Sequence, residues 1–328
     1  MTETRGGTVG SPLVGIDEVR VAARRLDGVV IRTPLLPSPE LAAATGAAEV
    51  RLKCENVQRA GAFKARGANN YVLQLSDHAV ANGIITYSSG NHAQAVALAA
   101  KIRGVRAVVV MPTTAPRVKV EGAKALGAEV HFEGTTSLER KARAETLAKA
   151  EGLTMVPPFD DPDIIAGQGT VGLEIVEDWP EVDVVLVPIG GGGLAAGVSA
   201  AVRALRPRAT IVGVEPSGGA SMKAALEAGH PVVLDKTASI ADGLLPVKAG
   251  DLTYLHLREL ADGVVTVEDD DIRDATALLL THHHLVVEFS GAATTAALQC
   301  GAVDVAGRRV AVVISGGNLD PSYLPELA

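Results

Sequence analysis

The stretch Val184-Val185-Leu186-Val187-Pro188-Ile189-Gly190-Gly191-Gly192-Gly193-Leu194 runs from an apolar segment through four glycines into a helical pattern. The short apolar run at residues 184–187 predicts a strand buried on both faces, and residues 194–205 predict a helix. A strand followed by a short turn and a helix is the repeating unit of parallel α/β sheets. This stretch therefore predicts an α/β fold.

The same alternation of strand and helix occurs in two series, one on each side of Pro157-Pro158. The first series predicts strands at 83–87, 107–111, 129–132 and 153–156, and helices at 91–103, at 116–126 and through Arg140 and Ala150. The second predicts strands at 211–214, 264–267 and 310–314, and helices at 164–177, at 221–228, from an Asp269 cap to about His284, and from a Ser290 cap. Before both series, helices at 16–26 and 64–75 flank a strand at 49–52.

Two α/β lobes with a cleft between them explain this order of elements. We predict a large domain made of residues 1–80 and 155–328, and a small mobile domain made of residues 81–154. Each lobe would hold a mainly parallel sheet flanked by helices.

The composition favours a soluble cytoplasmic protein. The 328 residues carry a net charge of −8, which argues against nucleic acid or an anionic membrane as a partner. No apolar run has transmembrane length, and the polar residues 1–10 predict a loose leader without the pattern of a signal peptide. Cys54 and Cys300 are too few for a disulfide framework, so we predict a reducing compartment and a core position for each.

The four glycines favour a phosphate site. Their N–H groups, together with the N-terminus of the helix that follows, would form a cradle for an anion. A tight turn without a ligand is the alternative, although one or two glycines would suffice for it. No Lys-Ser/Thr pair follows as in a Walker loop, and a dinucleotide fingerprint would need glycine where Ala195 stands, which disfavours a nicotinamide dehydrogenase.

A candidate nucleophile lies in Gly61-Ala62-Phe63-Lys64-Ala65-Arg66-Gly67-Ala68. Lys64 stands between an aromatic residue and small residues, which suggests partial burial and hence a lowered amine pKa. The alternative is an ordinary helix start beside alanines, and this stretch alone favours that alternative.

Two polar turns directly follow predicted strands, namely Ser88-Ser89-Gly90-Asn91-His92 and Ser315-Gly316-Gly317-Asn318. The hydroxyls, the amide and the first-turn N–H groups of the first turn could hold a carboxylate, although an ordinary helix cap would need only one such residue. Because the carboxyl ends of parallel strands face one crevice, we expect the lysine, the phosphate cradle and this turn to converge.

These stretches together resemble the serine/threonine dehydratase group of pyridoxal-phosphate enzymes, which have the two-lobed fold type II, similar to the tryptophan synthase β chain. The resemblance extends from about Ile16 to Leu324. Besides the stretches above, it rests on Lys53-Cys54-Glu55-Asn56-Val57-Gln58, Ala93-Gln94, Ala166-Gly167-Gln168-Gly169-Thr170 and Ala241-Asp242-Gly243.

The resemblance implies that pyridoxal 5′-phosphate binds in the cleft, and that Lys64 carries it and later moves the proton at Cα. It also implies that Phe63 packs beside the ring, that Asn91 bonds the ring hydroxyl and that Ser315 faces the pyridine nitrogen. The phosphate would be held by Gly190, Gly191, Gly192, Gly193 and Leu194. The substrate carboxylate would be bound by Ser88, Ser89, Asn91 and His92, with Arg140 as a further contact from the moving lobe.

Ser315 narrows the expected chemistry, because a neutral partner at the pyridine nitrogen makes the cofactor a weaker electron sink than an aspartate would. That favours loss of a β-hydroxyl group as the Cα proton leaves. The resemblance therefore implies removal of water from L-threonine or L-serine to give a 2-oxo acid and ammonia. The alternatives are a serine racemase, in which Ser89 would be the acid on the opposite face of Cα, a 3-hydroxyaspartate dehydratase, and a non-enzymatic amino-acid-binding regulatory relative.

The resemblance also implies a homodimer and a possible cation site. Glu215, the Gly219 carbonyl and Ser221 match a site for a divalent or monovalent cation in the racemase-like branch, although a serine replaces an aspartate there. One carboxylate fewer should weaken such a site. His282-His283-His284 is instead interpreted as a solvated helix end, because consecutive helical residues point in different directions.

Overall fold

The computed structural model describes residues 13–327, so the predicted polar leader at residues 1–10 lies outside the described residues. The described strands are β1 Leu35–Pro37, β2 Glu49–Cys54, β3 Ile84–Tyr87, β4 Ala107–Met111, β5 Glu129–Phe132, β6 Thr154–Met155, β7 Val184–Pro188, β8 Thr210–Pro216, β9 Gly263–Val267 and β10 Arg309–Ile314. They form a six-stranded sheet in the order β1-β2-β10-β7-β8-β9 and a four-stranded sheet in the order β5-β4-β3-β6. All neighbours pair in parallel except β1 and β2.

Helices flank both sheets. They are α1 Ile16–Leu26, α2 Pro39–Thr45, α3 Lys64–Val72, α4 Asn91–Arg103, α5 Arg117–Ala125, α6 Ser137–Glu151, α7 Pro162–Asp178, α8 Gly193–Leu205, α9 Ser221–Ala228, α10 Asp251–Leu260, α11 Asp269–Thr281, α12 Phe289–Gln299 and α13 Leu324–Leu327. The α/β fold with helix-flanked parallel sheets is thus confirmed. Within residues 13–327, no helix combines the length and the apolar character needed to cross a bilayer.

The central strands are buried on both faces, as their continuous apolar sequences predicted. In β7, Val184 and Leu186 enter one apolar cluster while Val185 and Val187 enter another on the opposite face. The four-stranded sheet is built in the same way, with Ile84 and Ile85 in different clusters. Parallel strands covered on both faces place their carboxyl ends at one edge, where the loops are free to bind ligands.

Several element boundaries differ from the prediction. Helix α11 is capped by Glu268, not Asp269, and ends at Thr281, well before the predicted His284, which has a positive φ of 56°. Ser290 lies inside α12, whose N-cap is Glu288, and its hydroxyl accepts a hydrogen bond from the Gly243 N–H. The Ser290 hydroxyl therefore binds the distant segment that contains Gly243 and does not cap its own helix.

Two helices were not predicted, and the core position predicted for one cysteine was wrong. Helix α2 is short and lies in a proline-rich segment, where Ser38 caps it, and α10 lacks a side-chain cap of its own. The carboxylate of Asp160 accepts from the N–H groups of Asp251, Leu252 and Thr253 instead, so the start signal of α10 lies far away in the sequence. Cys54 is buried as predicted, but Cys300 is exposed at the end of α12.

A buried ion cluster joins β2, α3 and α7. Arg66, two residues after Lys64, is fully buried and donates to both carboxylate oxygens of Glu55 and of Glu174. Lys53 Nζ lies 2.6 Å from Glu174 Oε2 and 2.7 Å from the Thr33 carbonyl. Two cations thus balance two carboxylates beneath the start of α3, which gives Lys64 a rigid support.

Candidate active site

Lys64 lies at the junction between α3 and the end of β10. The Phe63 N–H donates to the Ser315 carbonyl at 3.1 Å, and Ala62 pairs with Gly316 as an antiparallel bridge. These backbone bonds bring the predicted lysine and the predicted ring-nitrogen partner together. The Phe63 ring is also next to the lysine, with its centroid 5.1 Å from Lys64 Nζ.

The Lys64 amine is partly neutral near physiological pH. Burial lowers the pKa of Lys64 to about 8 because the charged form loses hydration. Its Nζ donates to the Pro158 carbonyl at 2.8 Å, and within residues 13–327 no carboxylate forms an ion pair with it. A lysine that is held by a carbonyl and left partly neutral by burial is a usable nucleophile and base.

The tetraglycine turn presents unpaired N–H groups. Within residues 13–327, no acceptor is bonded to the backbone N–H groups of Gly190 through Leu194. The carbonyl of Gly191 is turned the other way, since it accepts from Thr253 Oγ1 at 2.7 Å and from the Gly250 N–H at 3.3 Å. Five consecutive donors at the start of α8 are the cradle that a phosphate requires.

Packing explains why glycines occupy this turn. A Cβ on Gly191 would lie 2.2 Å from Phe159 Cδ1, and one on Gly193 would lie 3.1 Å from the Phe159 backbone. Gly192 has a φ of +95°, and a Cβ there would lie 2.7 Å from Thr253 Oγ1. Three of the glycines therefore leave space for Phe159 and Thr253 to pack against the turn. A tight turn alone would not require glycine at all three positions.

The turn after β3 starts α4. Ser88 Oγ accepts from the Gly90 N–H at 3.1 Å, whereas the Ser89 hydroxyl, half-buried, makes no hydrogen bond to any residue from 13 to 327. His92 is 2% exposed, and burial first, with the nearby Lys64 second, lowers its pKa to about 3. His92 is therefore neutral, so it can offer a hydrogen bond to a carboxylate but no charge.

Asn91 is fixed by residues of the six-stranded sheet. Its Nδ2 donates to Glu288 Oε1, and its Oδ1 accepts from Asn318 Nδ2 at 3.0 Å. Asn318 Nδ2 also donates to the Ala60 carbonyl at 2.9 Å, which ties the turn after β10 to the segment before Lys64. Ser315 in that turn is 3% exposed, and among residues 13–327 its hydroxyl makes only a long 3.4 Å bond to the Ser290 carbonyl.

Arg140 stands apart from the other predicted site residues. It is 8% exposed on α6, its Nη1 donates to the Thr135 carbonyl at 3.1 Å, and its Nε has no partner within residues 13–327. Burial lowers the pKa of Arg140, and it interacts electrostatically with Tyr87, the residue before Ser88. It makes no hydrogen bond to the predicted carboxylate turn, so its role there remains a prediction.

The predicted cation ligands lie beside the tetraglycine turn, at the end of β8. Glu215 is fully buried and accepts from the Met222 N–H at 2.8 Å and the Lys223 N–H at 2.9 Å, while Ser221 Oγ has no partner within residues 13–327. Burial raises the pKa of Glu215 to about 7. The carboxylate is already bonded through both oxygens, and a cation there remains a prediction.

Sequence reasoning missed the segment from Pro157 to Asp160. This segment supplies the acceptor for Lys64, the ring over Gly191 and the cap of α10, and it was interpreted only as a junction. It also lines a cavity of about 180 Å³, together with Tyr87, Lys141, Glu145 and Met155. Thr253 and Glu288 were missed as well, and Asn318 was predicted only as part of the polar turn after β10, without its bonds to Asn91 and Ala60. Their partners are too distant in the sequence for any local pattern to reveal.

The residues fit a cofactor that carries an aldehyde and a phosphate. A desolvated lysine offers the amine that an aldehyde requires, and the unpaired N–H groups after β7 offer a phosphate cradle. The Ser315 hydroxyl offers a neutral hydrogen bond at the end of β10. No carboxylate is bonded to any of these three groups within residues 13–327.

Comparisons with known proteins agree with this arrangement. A family model described as pyridoxal-phosphate dependent enzyme matches residues 26–316. The L-threonine ammonia-lyase of Thermotoga maritima is 42% identical over 96% of this chain and 78% of its own length. The catabolic L-threonine dehydratase TdcB of Escherichia coli K12 is 39% identical over 96% of each chain. The structure of maize serine racemase superposes with a TM-score of 0.91 at 38% identity, covering 95% of this chain and 96% of that one.

Proposed function

Because this chain belongs to the family of pyridoxal-phosphate-dependent enzymes, we propose that it is an ammonia-lyase that removes water from L-threonine or L-serine. The products are a 2-oxo acid and ammonia. The observation that carries this choice of reaction is Ser315, a buried neutral hydroxyl at the end of β10. With a neutral partner for its ring nitrogen, the cofactor is suited to reactions in which the β-leaving group departs as the Cα proton is removed.

Residues of this chain can serve each step of the proposed reaction. Bound pyridoxal phosphate supplies the ring that accepts charge from Cα. The Lys64 amine, neutral in part at pH 8, carries the cofactor between turnovers and takes the Cα proton. The Cβ–O bond then breaks, and the hydroxyl leaves as water with the proton that Lys64 took from Cα. Hydrolysis of the released enamine gives the 2-oxo acid and ammonia. The N–H groups of Gly190 through Leu194 hold the phosphate, and residues 88–92 hold the substrate carboxylate.

A serine racemase is the second candidate, and Ser89 is the observation that favours it. Its hydroxyl is half-buried beside Asn91 and has no hydrogen-bond partner within residues 13–327. Such a hydroxyl could deliver a proton to the face of Cα opposite Lys64. The similarity to maize serine racemase is compatible with this activity.

A substrate panel on the purified holoenzyme tests both candidates. L-threonine, L-serine and L-threo-3-hydroxyaspartate are each incubated, and 2-oxo acids and D-amino acids are measured. We expect L-threonine and L-serine to give 2-oxo acids faster than D-serine forms. The variant Ser89→Ala should lose any D-serine formation and should raise KM for elimination, since a contact to the substrate carboxylate is lost. Its kcat for elimination should stay within about threefold, because Lys64 takes the Cα proton.

The opposite ranking would overturn the proposal. D-serine that forms faster than pyruvate would make the protein a racemase, and turnover confined to 3-hydroxyaspartate would change its substrate. A protein that binds pyridoxal phosphate but leaves all three substrates unchanged would be a binding relative. Lys64→Ala is the control that should abolish every activity.

We further propose a cytoplasmic homodimer. Both cysteines are free, as a reducing compartment permits. Three exposed apolar side chains, Ile31, Val57 and Val286, come from segments tied together through Gln58 and Asn56. A second copy of the chain would cover this patch, because exposed apolar side chains that cluster commonly mark an interface.

A further inference from the structure

Lys119 is a buried cation whose carboxylate partners, among residues 13–327, lie in segments that flank the six-stranded sheet. It lies on α5, which packs beside α4 and β5 of the four-stranded sheet, and it is 3% exposed. Its Nζ lies 2.7 and 2.9 Å from the carboxylate oxygens of Asp242 and 3.0 Å from Glu288 Oε2. Asp242 begins a short 3₁₀ helix at Asp242–Leu244, and Glu288 caps α12. Both segments pack against the core of the six-stranded sheet, so the ion cluster connects the two sheets.

The stem of Lys119 crosses the turn that opens α4. A Cβ on Gly90 would lie 2.1 Å from Lys119 Cδ, so only glycine leaves room for this path. Gly90 stands between Ser89 and Asn91, and Lys119 therefore passes directly behind two predicted site residues. Burial alone would lower the pKa of Lys119, but Glu288 and Asp242 outweigh it and raise that pKa, so the amine is charged.

Glu288 connects Lys119 to Asn91. One carboxylate oxygen of Glu288 pairs with Lys119, and the other accepts from Asn91 Nδ2. Because Asn318 donates to Asn91 Oδ1, the Asn91 amide is held in one orientation from both ends. One of the two N–H groups on Asn91 Nδ2 is used by Glu288, which leaves the other free to meet a ligand.

We infer that Lys119 is a positioning residue, which fixes Glu288, and through it Asn91, when the two sheets are drawn together. The inference rests on the proposed function only in taking Asn91 as a contact of the cofactor. Without Lys119, the buried carboxylate of Glu288 would be left with no counter-charge, whereas Asp242 is 36% exposed and would be solvated by water. Glu288 would then leave its position beside Asn91, and the Asn91 amide would lose its fixed orientation.

A double-mutant cycle tests this coupling. The variants are Lys119→Met, Glu288→Gln and the double variant. The apparent Kd for pyridoxal phosphate is measured by absorbance titration of the apoprotein, and kcat and KM are measured on the holoenzyme. We expect Lys119→Met to weaken cofactor binding and lower kcat by about tenfold each. Glu288→Gln should cost about threefold or less, because glutamine still accepts from Asn91. The double variant should match Glu288→Gln, since a neutral amide at position 288 no longer needs the cation.

Other outcomes contradict the inference. Losses that multiply in the double variant would show that Lys119 serves only packing over Gly90, and unchanged cofactor affinity in Lys119→Met would remove the coupling altogether. Lys124→Met, an exposed position on the same helix, is the matched control and should behave as wild type. If Lys119→Met fails to fold, Lys119→Arg is measured instead. It should keep the affinity for pyridoxal phosphate within about threefold of wild type, and a larger loss would contradict the inference. Cofactor affinity is measured without substrate, so failure of the proposed reaction and failure of this inference are distinguishable.

Discussion

Lys64 shows what a single residue reveals before its surroundings are known. Its aromatic and small neighbours predicted partial burial, and burial in the folded chain lowers its pKa to about 8. The acceptor that holds its amine, the carbonyl of Pro158, lies 94 residues away. Burial follows from local composition, but the direction in which the amine points depends on a contact that no local pattern encodes.

At Glu215, a pH-dependent contribution to stability is expected. Burial raises its pKa from 4.5 to about 7, so the folded chain keeps a proton that the unfolded chain releases. The stabilisation is complete below pH 4.5 and is lost as the pH rises through 7, by up to about 3 kcal/mol. Glu215→Gln cannot titrate. The melting temperature of the Glu215→Gln apoprotein, measured in the presence of a chelator, should therefore rise relative to that of the wild type as the pH increases from 5 to 8.

The same pair of proteins tests the predicted cation. A cation bound by Glu215 would keep the carboxylate ionised, so Mg²⁺ or Ca²⁺ should raise the melting temperature of the wild type at pH 8 and leave Glu215→Gln unchanged. Melting temperatures that run parallel at all pH values would mean that the Glu215 pKa is ordinary.

At the scale of elements, the tetraglycine turn depends on a helix that was not predicted. Thr253 of α10 holds the Gly191 carbonyl outward, and Asp160 caps α10 from a distant segment. A helix that is capped from elsewhere carries no local start signal, which explains why α10 was missed. The cradle was correctly placed between β7 and α8, but the support that orients it was invisible in the sequence.

Thr253→Val should weaken the phosphate cradle without unfolding α10. The variant removes the 2.7 Å bond to the Gly191 carbonyl, worth about 1 kcal/mol, and keeps the shape of the side chain. We expect the apparent Kd for pyridoxal phosphate to rise about fivefold, as measured by titration of the apoprotein. Thr281→Val, which removes an exposed helix hydroxyl from its bond to Ala277, is the control. Equal affinities in the two variants would exclude Thr253 from the support of the cradle.

At the scale of the whole molecule, charges far apart in the chain neutralise one another. Arg66 and Lys53 balance Glu55 and Glu174 beneath the start of α3, and breaking such a buried set is costly because it leaves an unpaired charge. The residues carrying three of these charges belong to motifs on which the family resemblance rests. Their pairing with Glu174 of α7 became visible only in the folded chain.

The dimer makes a prediction at this scale too. Sedimentation equilibrium should give twice the chain mass of 33.6 kDa. Val57→Glu places a charge in the proposed contact patch and should shift the protein towards the monomer, because burying an unpaired carboxylate is costly. Val233→Glu, which changes an exposed valine elsewhere, should remain dimeric. A wild-type protein that sediments at the mass of one chain would overturn the proposal.

The sequence by itself determined the α/β class, most strands and helices, the candidate lysine, the glycine turn and the family. Hydrophobic periodicity and short motifs are local properties of the chain, so they can be recognised without knowledge of the fold. The tertiary structure alone decided which groups meet: Pro158 with Lys64, Thr253 with Gly191, and Lys119 with Glu288. In the structure, two helices are capped by Glu268 and Glu288 and not by the predicted residues, and Cys300 is exposed. Such contacts join residues from distant parts of the chain, and only the packing of the sheets and helices brings them together.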